Sequence, residues 1–230
     1  MTDRLTIKAL QADIGVITDG AFGPKSKAAL FAKLSNRVAP GLTALDYQRA
    51  ADRLGVSVGH IRGVRKIEAP RGPFDDQGRP SILYERHKFR NNTDPVGRFN
   101  TSNPDLSGPA YGPGGYGPFS AQYDRLAAAC ALDPEAAFRA CSWGAFQVLG
   151  ENATALGYAS TYDMAKGLVA SEAAHLETFV RYVERNGLVD EFQACRAHDP
   201  RSCQPFVAGY NGPGYKQFHY DTKLAEAIAV

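Results

Sequence analysis

Two methionines, one tryptophan and four cysteines are few for a chain of 230 residues, and neither sign of charge predominates: 26 Lys and Arg stand against 24 Asp and Glu, a net charge of +2. A balance so near zero, with no long Lys/Arg run, argues against nucleic acid as a partner. No apolar stretch approaches the roughly 18 residues that cross a bilayer, and the opening segment MTDRLTIKAL has no apolar core of a signal peptide. The expectation is a protein made in the cytoplasm and not inserted in a membrane, carried outward, if it works elsewhere, by something other than an N-terminal signal. What is present is core material: 44% of the residues are hydrophobic and 22% charged, which excludes disorder as the dominant state. At about 100–200 residues per domain, the length allows one large domain or a main domain with a small appendage.

The cysteines fall as two close pairs. Cys130 and Cys141 lie in Ala-rich stretches that read as helix, where a thiol behaves as a small core residue. Cys195 and Cys203 bracket the polar loop CRAHDPRSC, which a disulfide could close in an oxidising compartment. Together with His198 they lack a fourth ligand and a standard zinc spacing, so no metal is expected.

The first forty residues read as a small helical unit: Leu5, Ile7 and Leu10 precede a turn, Ala28, Ala29, Leu30 and Leu34 follow it, and Ser26 is the expected cap of the second helix. Between them, Asp19-Gly20 and Gly23-Pro24 are turn punctuation. The segment ALQADIGVITDGAFGPKSKAAL resembles the peptidoglycan-binding repeat carried by many wall-lytic enzymes, of which it covers about the last two-thirds. Ala39-Pro40-Gly41 then breaks the chain, which sets the expected domains at 1–40 and 41–230.

Thr43 with Asp46 three residues on is a capping-box pattern, and Tyr47, Ala50, Ala51 and Leu54 share a helical face. Ser57 restarts the helix, Ile61 and Val64 continue an apolar stripe that ends at Glu68, and Pro70, Gly72 and Pro73 forbid more helix. Ile82-Leu83-Tyr84 reads as a short strand, so one small β element is expected within 74–86. Residues 93–119 are rich in Gly, Pro, Asn and Tyr; so long a loop in a compact domain is usually functional, and aromatic rings such as Tyr116 suit the faces of sugars. Beyond it the pattern is helical to the end, with starts near Ser120, Asp133-Pro134, Thr161 and Ser171 and a stop at Asn186-Gly187.

Glu68 stands out on physical grounds. A carboxylate that ends an apolar stripe is partly desolvated, and the carbonyl end of a helix dipole further disfavours its anion, so both effects raise its pKa. An acid kept protonated near neutrality is what glycosidic cleavage requires, since the leaving oxygen must receive a proton as the bond breaks. Glu85 is the candidate second carboxylate: alternation along Leu83, Glu85 and His87 puts it on one face of the strand, able to look into a cleft. Carboxyls roughly 6.5–9.5 Å apart would admit a water and invert the anomeric centre, whereas about 5 Å would favour a covalent route.

Leu45-Asp46-Tyr47-Gln48-Arg49-Ala50-Ala51, Ile67-Glu68, Gly78 through His87, Ser142-Trp143-Gly144-Ala145-Phe146-Gln147-Val148, Gly209-Tyr210-Asn211-Gly212-Pro213-Gly214-Tyr215 and Tyr220-Asp221-Thr222-Lys223-Leu224 follow one another in an order similar to that of the phage-endolysin N-acetylmuramidases. The resemblance implies a mainly α, lysozyme-like catalytic domain with a small β-hairpin. It also implies cleavage of the β-1,4 bond between N-acetylmuramic acid and N-acetylglucosamine, with Glu68 as the acid and no cofactor. One departure is that Ala69 follows the acid where many relatives have Ser. Gln147, Tyr210, Asn211, Trp143 and Tyr116 are expected to hold substrate, amides and hydroxyls bonding sugar oxygens while rings cover sugar faces. Peptidoglycan strands are the expected partner of a monomer, met in the periplasm or wall after holin-type release or secretion. Two other readings stand beside hydrolysis: a lytic transglycosylase leaving 1,6-anhydro ends, for which the role of Glu85 discriminates, and a wall-binding protein without activity.

Overall fold

The computed structural model describes residues 4–110 and 115–229. Helices α1 (Ile7–Asp13) and α2 (Pro24–Lys33) are joined by a turn held by the side chain of the buried Gln11 of α1. Its amide donates to Asp19 Oδ1 at 2.8 Å and to the Ala21 carbonyl at 3.1 Å, and its oxygen accepts from Gly20 N–H at 2.8 Å. Ser26 does not cap α2: Pro24 takes the first helical position with Gly23 before it, and Ser26 is buried within the helix beside Gln11. Pro suits that position because the first amide of a helix has no partner to lose.

Thr43 and Asp46 form the expected reciprocal cap at the start of α3 (Ala44–Leu54), which Gly55 ends in the left-handed region. Helix α4 (Val58–Glu68) stops one residue before Ala69, whose φ of −125° and ψ of 67° leave helical space as a residue preceding proline must. The chain then forms β1 (Ile82–Tyr84) and α5 (Arg86–Asn92), and after the long loop α6 (Gln122–Cys130) and α7 (Pro134–Arg139). Strands β2 (Cys141–Trp143) and β3 (Val148–Leu149) complete an antiparallel sheet of order β1-β2-β3, in register Leu83 to Ser142 and Ser142 to Leu149.

The hairpin is thus β2–β3, not a feature of 74–86, where a single bridge from Phe74 to Pro80 closes the turn and only β1 is strand. Cys141 lies in β2 rather than in helix. Strands of two and three residues carry too few alternations to show in a sequence; the pairing of segments some sixty positions apart creates them.

The remaining helices are α8 (Thr161–Leu168), α9 (Glu172–Arg185), α10 (Val189–Ala194), α11 (Pro200–Asn211) and α12 (Tyr220–Ile228). Helix α12 packs on α4 through Gly59 and Gly63. A Cβ on Gly59 would stand 2.7 Å from the Ile228 carbonyl oxygen, so the small residues set the approach. One core cluster joins α3, α4 and α9 to α12; the other holds β1, β2, Phe89, Phe138 and Met164. Leu10, Leu30 and Leu34 of the N-terminal helices belong to this second cluster, together with Ile82 and Tyr123. Asp13 at the end of α1 accepts from the Tyr162 hydroxyl at 2.8 Å and pairs with Lys166 at 3.2 Å, fastening α1 to α8. All four cysteines are buried free thiols, and the Cys195 thiol donates to the Glu191 carbonyl at 3.5 Å.

Candidate active site

A cleft of about 720 Å3 opens between the end of α4, the β1–α5 junction, the β2–β3 hairpin and the end of α11, and Glu68, Glu85, Gln147, Tyr116, Tyr210 and Asn211 all line it. Glu68 enters from the carboxyl end of α4. Its Oε1 accepts from Asn211 Nδ2 at 2.7 Å, across 143 positions of sequence. Burial pushes its pKa up from an ordinary 4.5 to about 7, against the opposing pull of the Asn211 hydrogen bond and the Lys223 charge. Near neutral pH a substantial fraction of Glu68 therefore carries the proton that a leaving oxygen needs.

Glu85 reaches the cleft by another route than strand alternation: β1 has ended at Tyr84, and Glu85 precedes the first residue of α5. The Ser142 hydroxyl donates to its Oε1 at 3.2 Å, and His87 Nε2 lies 3.7 Å from Oε2. Burial raises its pKa, Ser142 and Lys88 lower it, and Glu151 raises it. His87 is itself shifted down, first by burial and then by Lys88, so at neutral pH it faces Glu85 uncharged. The Lys88–Glu151 ion pair, at 2.8 Å, lines the same cleft. Two carboxyls in one cleft thus have different surroundings, one beside an amide and aromatic rings, the other beside a hydroxyl and the Lys88 ammonium.

Gln147 sits in left-handed backbone, φ 49°, at the end of the 144–146 turn. Its Nε2 donates to the carbonyls of Gly144 at 2.8 Å and Ser81 at 3.3 Å, which leaves Oε1 as the atom able to address a ligand. Tyr116 is half-buried on the cleft rim, and its carbonyl accepts from Gln122, whose oxygen accepts from the Tyr84 amide. Tyr111 to Gly114 of the same loop lie outside the described residues.

A family model for N-acetylmuramidases matches residues 57–230. The chain belongs to the N-acetylmuramidase family. A crystal structure of the Burkholderia AP3 phage endolysin superposes with a TM-score of 0.71 at 30% identity, covering 100% of this chain and 96% of that one. A comparison with curated proteins gives no match. The muramidase is thus a glycoside hydrolase of peptidoglycan in a lysozyme-like, mainly helical endolysin fold, and neither alternative reading is favoured. Among the described residues no helix is long and apolar enough to cross a membrane, and no three His, Cys, Asp or Glu side chains cluster as metal ligands would.

Of the expected substrate contacts of the muramidase, one lies outside the cleft. Trp143 is 1% exposed; it stacks on Phe138 at 5.7 Å, donates its indole N–H to the Phe138 carbonyl at 3.1 Å, and does not line the cleft. Strand alternation explains this, because Ser142 turns toward Glu85 and its neighbour must turn toward α7. Tyr210 lines the wall, but its hydroxyl donates to the Phe146 carbonyl and its ring is held among Phe179, Tyr182 and Phe206. Asn211 does reach the centre, where its partner is the Glu68 carboxyl itself. Ser142, Lys88, Glu151, Tyr182 and Tyr220 line the cleft without having been singled out as site residues. The Tyr220 phenol, pushed up to about 12 by burial and then by the charges of Glu68 and Glu85, stays protonated in the same cleft. Period-two alternation next to Trp143 was the signal available for Ser142; the Lys88–Glu151 pair, 63 positions apart, had none.

Proposed function

We propose that Glu68 is the general acid of this muramidase and Glu85 the carboxylate that orients and deprotonates the attacking water. In this reading the protonated Glu68 carboxyl gives its hydrogen to the glycosidic oxygen as the bond to the muramic carbon breaks. The Asn211 amide then steadies the carboxylate left behind. Glu85 takes a proton from water as its oxygen bonds to that carbon, which leaves a reducing muramic end. Gln147 Oε1 accepts from an amide or hydroxyl of the sugar, Tyr116 covers a sugar face, and Tyr210 supports the wall from behind. The observation that carries the reading is the pairing of an acid raised to about 7 with a second carboxylate held next to a cation and a hydroxyl in the same cleft.

The same reading makes the enzyme a monomer acting on glycan strands of the periplasm or wall, reached by holin-type release or secretion, with residues 1–40 adding wall affinity. Mass spectrometry of fragments released from purified peptidoglycan tests the chemistry. Reducing muramic ends from the wild type that disappear with Glu68→Gln are expected. Anhydro ends would transfer the protein to the transglycosylases, and undiminished release by Glu68→Gln would remove Glu68 from the acid role.

A further inference from the structure

His175 lies outside the cleft, in the first turns of α9, and is 2% exposed. Its ring spans two backbone segments. Nδ1 accepts from the Ala145 N–H at 3.0 Å, and Nε2 lies 2.7 Å from the Leu168 carbonyl, to which it can only donate. The two bonds together specify the neutral tautomer with hydrogen on Nε2. The segment on the Nδ1 side is the 144–146 turn between β2 and β3, the turn that delivers Gln147 in left-handed backbone.

The fit is close. Gly144 has φ 73°, and a Cβ there would stand 2.8 Å from His175 Nδ1, so the turn lies flat against the imidazole. Phe74 covers the ring at 4.8 Å between centroids. On its other side the turn is fixed to the strand region that leads to Glu85: Gly144 N–H donates to the Ser81 carbonyl at 2.7 Å, and Gln147 Nε2 reaches the same oxygen. The imidazole is therefore the one side-chain acceptor given to the turn's backbone by the α8–α9 layer.

We infer that His175 is a positioning residue of the muramidase: as a neutral acceptor it holds the Gly144–Gln147 turn, and through it the Gln147 amide, at the height in the cleft where Gln147 meets the sugar. The inference rests on the cleft being the glycan site. Its own content is that acceptance by Nδ1, rather than the volume of the ring, keeps the turn in place. Protonation removes that acceptor and sets an N–H against the Ala145 N–H. Burial, joined by the charge of Arg65 from α4, outweighs the hydrogen bond to the Leu168 carbonyl and the charge of Glu172 on the ring's own helix, both of which favour the imidazolium, and lowers the pKa to about 4. The arrangement is thus intact at neutral pH and releases in acid.

Two substitutions separate acceptor from volume. His175→Phe keeps a ring of similar size and abolishes the acceptor, whereas His175→Asn is smaller but keeps an oxygen near the place of Nδ1. On purified peptidoglycan, His175→Phe should lose about tenfold to a hundredfold in kcat, the scale on which a displaced positioning group costs rate. His175→Asn should retain more kcat than His175→Phe. The reverse order, or equal activities, would overturn the inference in favour of plain core packing. Should neither variant fold, the wild type still decides: Trp143, the sole tryptophan, directly precedes the turn. Its emission should change with a midpoint near pH 4 while far-ultraviolet dichroism stays native; no change before global unfolding would refute the role. This optical step does not depend on the assignment of Glu68. Its presence alongside an active Glu68→Gln enzyme would fault the catalytic assignment and leave the hold on the turn standing.

Discussion

Glu68→Gln should make the protein more stable, and increasingly so as the pH rises. The folded state holds this carboxyl at about 7 where an unfolded chain would have 4.5. An acid whose affinity for protons rises on folding contributes fully to stability below its unfolded pKa. That contribution is lost as the pH climbs from 4.5 through 7, because the unfolded chain ionises freely while the fold resists the anion. At about 1.4 kcal/mol per tenfold change in proton affinity, the wild type carries a penalty of about 1 kcal/mol at pH 5 and about 3 kcal/mol at pH 8. Glutamine is neutral throughout and can still accept from Asn211, so the variant escapes the penalty. For a chain of this size, 3 kcal/mol corresponds to roughly 6–12 °C in Tm. Calorimetric scans of both proteins between pH 5 and 8 measure it directly. Equal Tm values at pH 8, or a difference that does not grow with pH, would show that the cleft does not resist the Glu68 anion. The basis for its role as proton donor would fall with it.

Three other outcomes follow from the same geometry. The pH profile of kcat/KM should be a bell whose alkaline limb falls near 7, as Glu68 loses its proton, and whose acid limb lies above the ordinary 4.5, as Glu85 gains one; Glu85→Gln should abolish the acid limb together with most of the rate. Trp143→Phe should cost about 1–2 kcal/mol in urea unfolding through the lost indole bond and ring volume, yet leave KM unchanged; a raised KM would return Trp143 to the substrate site. Removing residues 1–40 should do more than weaken wall retention. Taking away Leu10, Leu30 and Leu34 uncovers Ile82 and Tyr123, so a fall in Tm with ANS binding is expected, and an unchanged Tm would show that the two parts fold independently.

Much of this enzyme was legible because its signals are local. A capping box places α3, a proline two residues on ends α4 at Glu68, and an apolar stripe running to that end already foretells a carboxyl reluctant to ionise. The ordered motifs from Leu45 to Leu224 carry the family and with it the fold. What stayed hidden depends on which segments meet. The hairpin β2–β3 is too short to display a period, and Cys141 looked helical because its alanine neighbours are; pairing with β1 made it strand. The facing of Trp143 was fixed by which side of β2 met α7, and the two N-terminal helices showed their apolar faces without showing what would cover them. Asn211 could be named as a site residue, but not as the partner of Glu68, since contact across 143 positions follows from the packing of α11, α12 and α4. A residue's own neighbours along the chain decide its backbone and its tendency to be buried. The identity of the group it meets there, and so the final pKa of each carboxyl, comes from long-range packing that no local pattern encodes.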